Sequence, residues 1–174
     1  FMIYDDSIRK IAWQQIHCRQ EWGEGMKKVK VLVLGLGNFG HSWATEVLPK
    51  CEAYAKLVGV VDRQKEKWQG IEESIPKFTD LEIALKETES ELVINVTPPS
   101  LHCGINKMLL EQKIAVLCEK PIADNHESAI QMGKIYQSLG GFLMIGENYR
   151  YHSVFRKAKE ILDKGNLGSI HRIS

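Results

Sequence analysis

The chain has 174 residues, 44% of them hydrophobic and 26% charged, with 23 basic against 22 acidic side chains and a net charge of +1. That balance fits a folded globular chain rather than a disordered one, long enough for one domain or one domain plus the start of another. It offers no basic surface for nucleic acid or an anionic membrane, and the four scattered cysteines (Cys18, Cys51, Cys103, Cys118), without a C-x-x-C pair, read as reduced thiols of a cytoplasmic protein.

In chain order, Ile8, Ile11, Ala12, Gln15, Ile16 and Arg19 recur at helical spacing and predict a helix over 6–22, stopped by Gly23 and Gly25. Asp5, Asp6, Arg9 and Lys10 interrupt any apolar leader there. The chain opens on Phe1 and closes on Ser174, and both ends read as cut. Residues 1–25 are expected to be an N-terminal extension, with Met26 a natural start. VKVLVL (29–34) is a continuous apolar run, the mark of a strand buried on both faces of a parallel sheet. The stretch Val31–Thr45 lacks Asp, Glu, Lys and Arg but is too short and glycine-rich to span a membrane.

FGHSWATEVLPK predicts a helix ending near Pro49, KLVGVVD (56–62) a second strand, and RQKEKWQGI a short helix or turn. PKF predicts a short strand, followed by a helix from about Leu81 with Asp80 as its cap. ELVINVTPP (91–99) and KIAVLCEKP (113–121) predict strands, each followed by a helix, and FLMIGENYR (142–150) a last strand. Strand and helix alternate at βα lengths, so the fold class expected is α/β, a doubly wound parallel sheet over 26–150. Past Arg150 an amphipathic helix, a stop at Gly165 and a strand over 168–174 predict that 151–174 begins a second domain.

GLGNFG (35–40) is a G-x-G-x-x-G sequence between a buried strand and a helix, the context that gives the motif meaning. In that reading Gly35 makes the tight turn, Gly37 lets backbone approach a pyrophosphate, and Gly40 lets helix and strand pack closely. Asn38 and Phe39 complete the loop at a helix N-terminus that favours an anion. A phosphate-binding P-loop would need G-K-[ST], and a protein kinase would need Val where Ser42 stands; neither fits.

Asp62 ends the second strand, where a carboxylate accepts hydrogen bonds from ribose hydroxyls and repels a 2′-phosphate. NAD is therefore expected, with NADP possible because Arg63 can stack on adenine or pair with that phosphate. Two further segments lie at strand ends, where open α/β sheets bind ligands. In VTPPSLH (96–102), Thr97 is a candidate donor to phosphate or ribose, and Pro98, which ends the strand, and His102, in the first helical turn, are further candidate cofactor contacts. In CEKPI (118–122), Glu119 is a candidate contact for the nicotinamide ribose. Lys120 is the candidate catalytic group, its ammonium expected in the cleft with a pKa lowered by burial. No metal site is expected. The bland alternatives are a turn carboxylate, a packed histidine and a solvated Glu-Lys pair.

Taken together, G-L-G-N-F-G, T-P-P-S-L-H, C-E-K-P and N-Y-R-Y resemble the Gfo/Idh/MocA oxidoreductases, over roughly Lys28 to Ser174. The resemblance implies a Rossmann domain followed by an α+β domain with an open antiparallel sheet. It implies NAD(P)-linked oxidation or reduction of sugars, inositols or related substrates, and a homo-oligomer when full length. Lys120 matches the family's active-site lysine, also expected to touch the cofactor, and Asn148, a further candidate cofactor contact, and Arg150 match its N-x-R segment. Ser153 departs from the proline usual there, the family's catalytic Asp and His would lie beyond Ser174, and residues 1–25 match nothing in the family. A dinucleotide sensor acting through a protein partner is the rival expectation; Lys120 argues against it.

Overall fold

The computed structural model describes residues 27–165 and Gly168. The helix expected over 6–22 and the strand expected over 168–174 lie outside those residues, apart from Gly168.

Among the described residues six strands form one sheet, all parallel, in the order β3-β2-β1-β4-β5-β6. The strands are β1 Val29–Leu34, β2 Ala55–Val61, β3 Lys77–Phe78, β4 Leu92–Asn95, β5 Ala115–Cys118 and β6 Leu143–Ile145. The helices are α1 Asn38–Ser42, α2 Leu81–Thr88, α3 Pro99–Glu111, α4 His126–Leu139 and α5 Ser153–Asp163. Parallel neighbours need a crossover, and the chain reverses its direction of winding between β1 and β4, leaving a crevice at their carboxyl ends.

The strands are short apolar runs because both faces are covered. Alternation divides their side chains into two cores. On one face Val31, Val33, Leu92, Ile94 and Leu117 pack with Trp43, Val47 and Leu48. On the other Leu32, Leu34, Val93 and Val116 pack with Leu85 of α2, Leu109 of α3 and Met132 of α4. The β1–β2 register slips between Val31 and Leu32, which oppose Leu57 and Gly59. A side chain at Gly59 would meet Phe78 at 2.9 Å and Leu32 at 3.1 Å, so the slip needs a residue without one.

The cap expected at Asp80 is present, and Asn125 caps α4 in the same way. Asp80 accepts from the Ile83 amide at 3.0 Å and Asn125 from the Ser128 amide at 2.9 Å, each satisfying an otherwise unpaired first-turn donor.

Three expectations need correcting. The helix after the glycines is not regular: α1 widens into a π turn over Trp43–Val47 and closes as an α turn over Leu48–Lys50. Pro49 has no N–H to give to the preceding turn, which removes a bond that would hold the α register. The strand expected to reach Pro121 ends at Cys118, short of a proline that cannot donate to a ladder. With β5 ended, β6 keeps only the Gly146 amide bonded to the Cys118 carbonyl past Ile145, and the residues expected to extend it to 150 form a 3-10 turn, Asn148–Tyr151. α5 exists, with no buried residue and with Val154 and Phe155 largely exposed.

Candidate functional site

The carboxyl ends of β1, β2 and β4 converge on a cavity of about 420 Å³, lined in part by Gly35, Asp62, Arg63, Lys67, Thr97 and Pro98. Gly35 has φ +91°, a conformation that L side chains rarely adopt, and a side chain there would meet the Val96 carbonyl oxygen at 2.9 Å. At Gly40 a side chain would run into the carbonyl oxygen of Gly35. These two glycines let the β1–α1 turn close on itself and lie against the end of β4.

Gly37 differs. It is exposed, extended and has open space where a side chain would stand. No side chain caps the α1 N-terminus, and Asn38 and the 67%-exposed Phe39 leave that turn facing outward. Bare backbone, open space and an uncapped helix start fit the pyrophosphate of a dinucleotide.

Asp62 is only 10% exposed at its side chain. Its Oδ2 accepts from the Leu36 amide at 2.8 Å and its Oδ1 from the Gln64 amide at 2.9 Å. One carboxylate thus ties the glycine turn to the end of β2, and each oxygen keeps a lone pair for a hydroxyl donor. Sequence reasoning missed the cation beside it: Lys67 Nζ stands 3.6 Å from Oδ2. The Lys67 carbonyl lies 2.7 Å from His41 Nε2, which ties that 3-10 turn (Lys65–Trp68) to α1. Arg63 is exposed at the cavity rim.

The β4 end is braced from below. Asn95, fully buried, accepts through Oδ1 from the Thr97 amide at 3.2 Å and the Thr97 hydroxyl at 2.6 Å. Its Nδ2 donates to Asn106 on α3 at 2.9 Å. The Thr97 hydroxyl therefore spends its proton on Asn95 and presents a ligand with an acceptor, where a donor was expected. His102 is 1% exposed, with Nε2 at 2.7 Å from the Thr97 carbonyl oxygen and Nδ1 at 2.7 Å from that of Pro121. Both nitrogens face carbonyl oxygens, to which a ring N–H donates, so buried His102 lies between the Thr97 and Pro121 loops and offers neither nitrogen to a ligand. Only the pattern hinted at this: Asn95 is a polar residue inside an apolar strand run.

Beyond β5, the Glu119 amide donates to the Asn95 carbonyl at 2.9 Å, and Glu119 Oε1 accepts from the Trp43 indole N–H at 3.0 Å. Glu119 and Lys120 do not line the cavity; they stand on its far side, at the end of β5. Lys120 is exposed, so the burial expected to act on its ammonium is not present in this chain. Beside it, burial pushes the Cys118 thiol up to about 11, with the Glu119 charge adding to the rise and Asn106 opposing it. Asn148 is half-buried in the turn after β6, and its Oδ1 is buried without a hydrogen-bond partner. No cluster of metal-ligating side chains occurs among the described residues, and none of their helices is long and apolar enough to cross a membrane.

Known proteins share this fold. The family model of the Gfo/Idh/MocA proteins, an oxidoreductase family with an NAD-binding Rossmann fold, matches residues 29–147. An uncharacterized oxidoreductase of Schizosaccharomyces pombe is 32% identical over 149 residues, 83% of this chain and 40% of its own length. The 2,7-anhydro-N-acetylneuraminate hydratase of Mediterraneibacter gnavus is 28% identical over 145 residues, 83% of this chain and 38% of its own. The crystal structure of scyllo-inositol dehydrogenase from Lactobacillus casei, with bound NAD(H) and scyllo-inositol, superposes with a TM-score of 0.73. At 24% identity, covering 83% of this chain and 43% of that one, it shows a shared fold. The chain spans about two fifths of the length of these relatives.

Proposed function

The chain belongs to the Gfo/Idh/MocA oxidoreductase family, and from that premise we propose that it is the cofactor-binding part of an NAD(P)-dependent oxidoreductase acting on a sugar, an inositol or a related hydroxyl or carbonyl compound. The observation that carries this reading is the open backbone at Gly37, set beside Asp62 by the close-packed turn of Gly35 and Gly40. In it the amides at the α1 N-terminus hold the pyrophosphate, Asp62 accepts from the adenosine ribose, and Thr97 and Glu119 line the way to the nicotinamide. The nicotinamide, when bound, supplies the hydride acceptor or donor. Lys120 orients the substrate oxygen and stabilises its charge from the end of β5. α5 begins a second domain that covers the substrate, excludes water and provides the remaining proton-transfer group. The whole protein is a cytoplasmic homo-oligomer in this reading.

The choice of cofactor follows from the charges around Asp62. The carboxylate prefers the free 2′-hydroxyl of NAD, while Lys67 at 3.6 Å and the exposed Arg63 offset part of its repulsion toward a 2′-phosphate. NADH is expected to bind more tightly than NADPH, with NADPH still measurable. Fluorescence titration of both against the 174-residue chain tests the reading, and binding of neither would end it. In the longer protein with an active substrate, Lys120→Ala is expected to lower kcat roughly 10²-fold or more, the usual scale for an acid–base or orienting group. Cofactor affinity should hold.

A further inference from the structure

Trp43 is among the largest fully buried side chains of the described residues, 2% exposed, and it opens the π turn of the first helix. Such widened turns recur at functional sites, where they re-aim a side chain. A buried indole N–H needs an acceptor. Here the acceptor is not a backbone carbonyl of its own face but the carboxylate of Glu119, 76 residues away and beyond β4. A hydrogen bond to an ionised acceptor is about twice as strong as one between neutral groups.

Glu119 is constrained on two other sides. Its amide is fixed to the Asn95 carbonyl. A side chain at Gly146 would stand 3.2 Å from Glu119 Oε2, so the bare backbone there leaves the carboxylate its place. Asn95 thus fixes the backbone of Glu119, while Trp43 and the bare backbone at Gly146 act on its carboxylate, more than a solvated surface glutamate needs.

We propose that Trp43 is a positioning residue that holds Glu119 for the nicotinamide-side ribose. One helix then sets both contacts of the dinucleotide: its first turn takes the pyrophosphate, and its fifth residue after Asn38 aims the carboxylate for the second ribose. The inference rests on the dinucleotide reading of the crevice.

The test titrates the 174-residue chain with NADH and, separately, with ADP, which has the adenosine and pyrophosphate but no second ribose. Trp43→Phe is expected to weaken NADH binding about tenfold, the scale of a lost hydrogen bond to a charged group, and to move ADP binding less than about twofold. In a Trp43→Phe/Glu119→Ala cycle the double variant should bind NADH no more weakly than Glu119→Ala alone, because residues acting through one contact are not additive. Equal losses for NADH and ADP, additive losses, or no loss would each overturn the proposal. Should Trp43→Phe fail to fold, Gly146→Ala decides: it keeps the indole and crowds the carboxylate, and must weaken NADH alone. A parent chain that binds neither probe would instead overturn the dinucleotide reading beneath it.

Discussion

The two ends of the crevice are made by opposite means. At the β1–α1 turn the sequence removes side chains: Gly35 and Gly40 leave room for backbone against backbone, and Gly37 leaves room for something else. At the ends of β4 and β5 it adds them. Asn95, His102 and Trp43 are buried and bond to the loops above them, and buried Asn106 accepts from Asn95 beneath. A bare-backbone turn gains its shape from sterics and tolerates no added atoms. A braced loop gains its shape from hydrogen bonds and tolerates no lost ones.

The comparison breaks most directly at His102. His102→Ala leaves the Thr97 and Pro121 carbonyls without their partner and empties a packed site, and is expected to cost about 2–4 kcal/mol in denaturant unfolding. A cost under about 0.5 kcal/mol would show that the far loops are held by sterics too. His102→Gln, which keeps a side-chain N–H donor but not the ring's shape, should fall between.

At the near end the sign of the change is reversed, since the substitution adds an atom. Gly40→Ala places a methyl against the Gly35 carbonyl and is expected to cost about 1–3 kcal/mol and to lower NADH affinity with it. Gly37→Ala meets nothing within 4 Å, so it should leave stability within about 0.5 kcal/mol of the parent while still lowering NADH affinity. Unfolding curves and titrations on the same pair separate space kept for the fold from space kept for a ligand. Equal stability losses would erase that distinction.

The smallest effect expected is at Cys118, which packs under the braced end. With its thiol pushed up to about 11 by burial, it is protonated from neutral pH to pH 9. Alkylation of Cys118 in the folded chain should stay slow across that range and accelerate only as pH approaches 11 or the chain unfolds. Ready labelling at pH 8 would mean that the loops above it open often.

The same contrast explains what could be read from residues alone. The strands and the glycine turn were legible because each is a local pattern: an apolar run, a spacing of glycines, a cap such as Asp80 just before Leu81. The braces were not. Asp62 and Leu36 are 26 residues apart, His102 and Pro121 are 19 apart, and Trp43 and Glu119 are 76 apart. Nothing in the spacing of either partner announces the other. His102 and Thr97 were therefore read as ligand contacts, when their polar atoms are first used to hold the loops. The overrun of β5 and β6 has a local cause that was visible, Pro121, but its effect on β6 passes through strand pairing and so depends on topology. The π turn at Trp43 follows from a proline six residues later, too weak a signal to place by itself.

The position of β1 in the sheet has a consequence for how the molecule is made. It is the earliest of the described strands in the chain, yet it lies between β2 and β4, and Val31 pairs with Leu57 on one side and with Leu92 on the other. No hairpin can start this sheet. During synthesis β1 must wait for a whole crossover on one side and for two more elements on the other, with apolar faces exposed meanwhile. Such long loop closures precede any reward from pairing, so folding is expected to be slow for a chain of this length, and early release from the ribosome would leave the central strand the most adhesive part of the nascent chain.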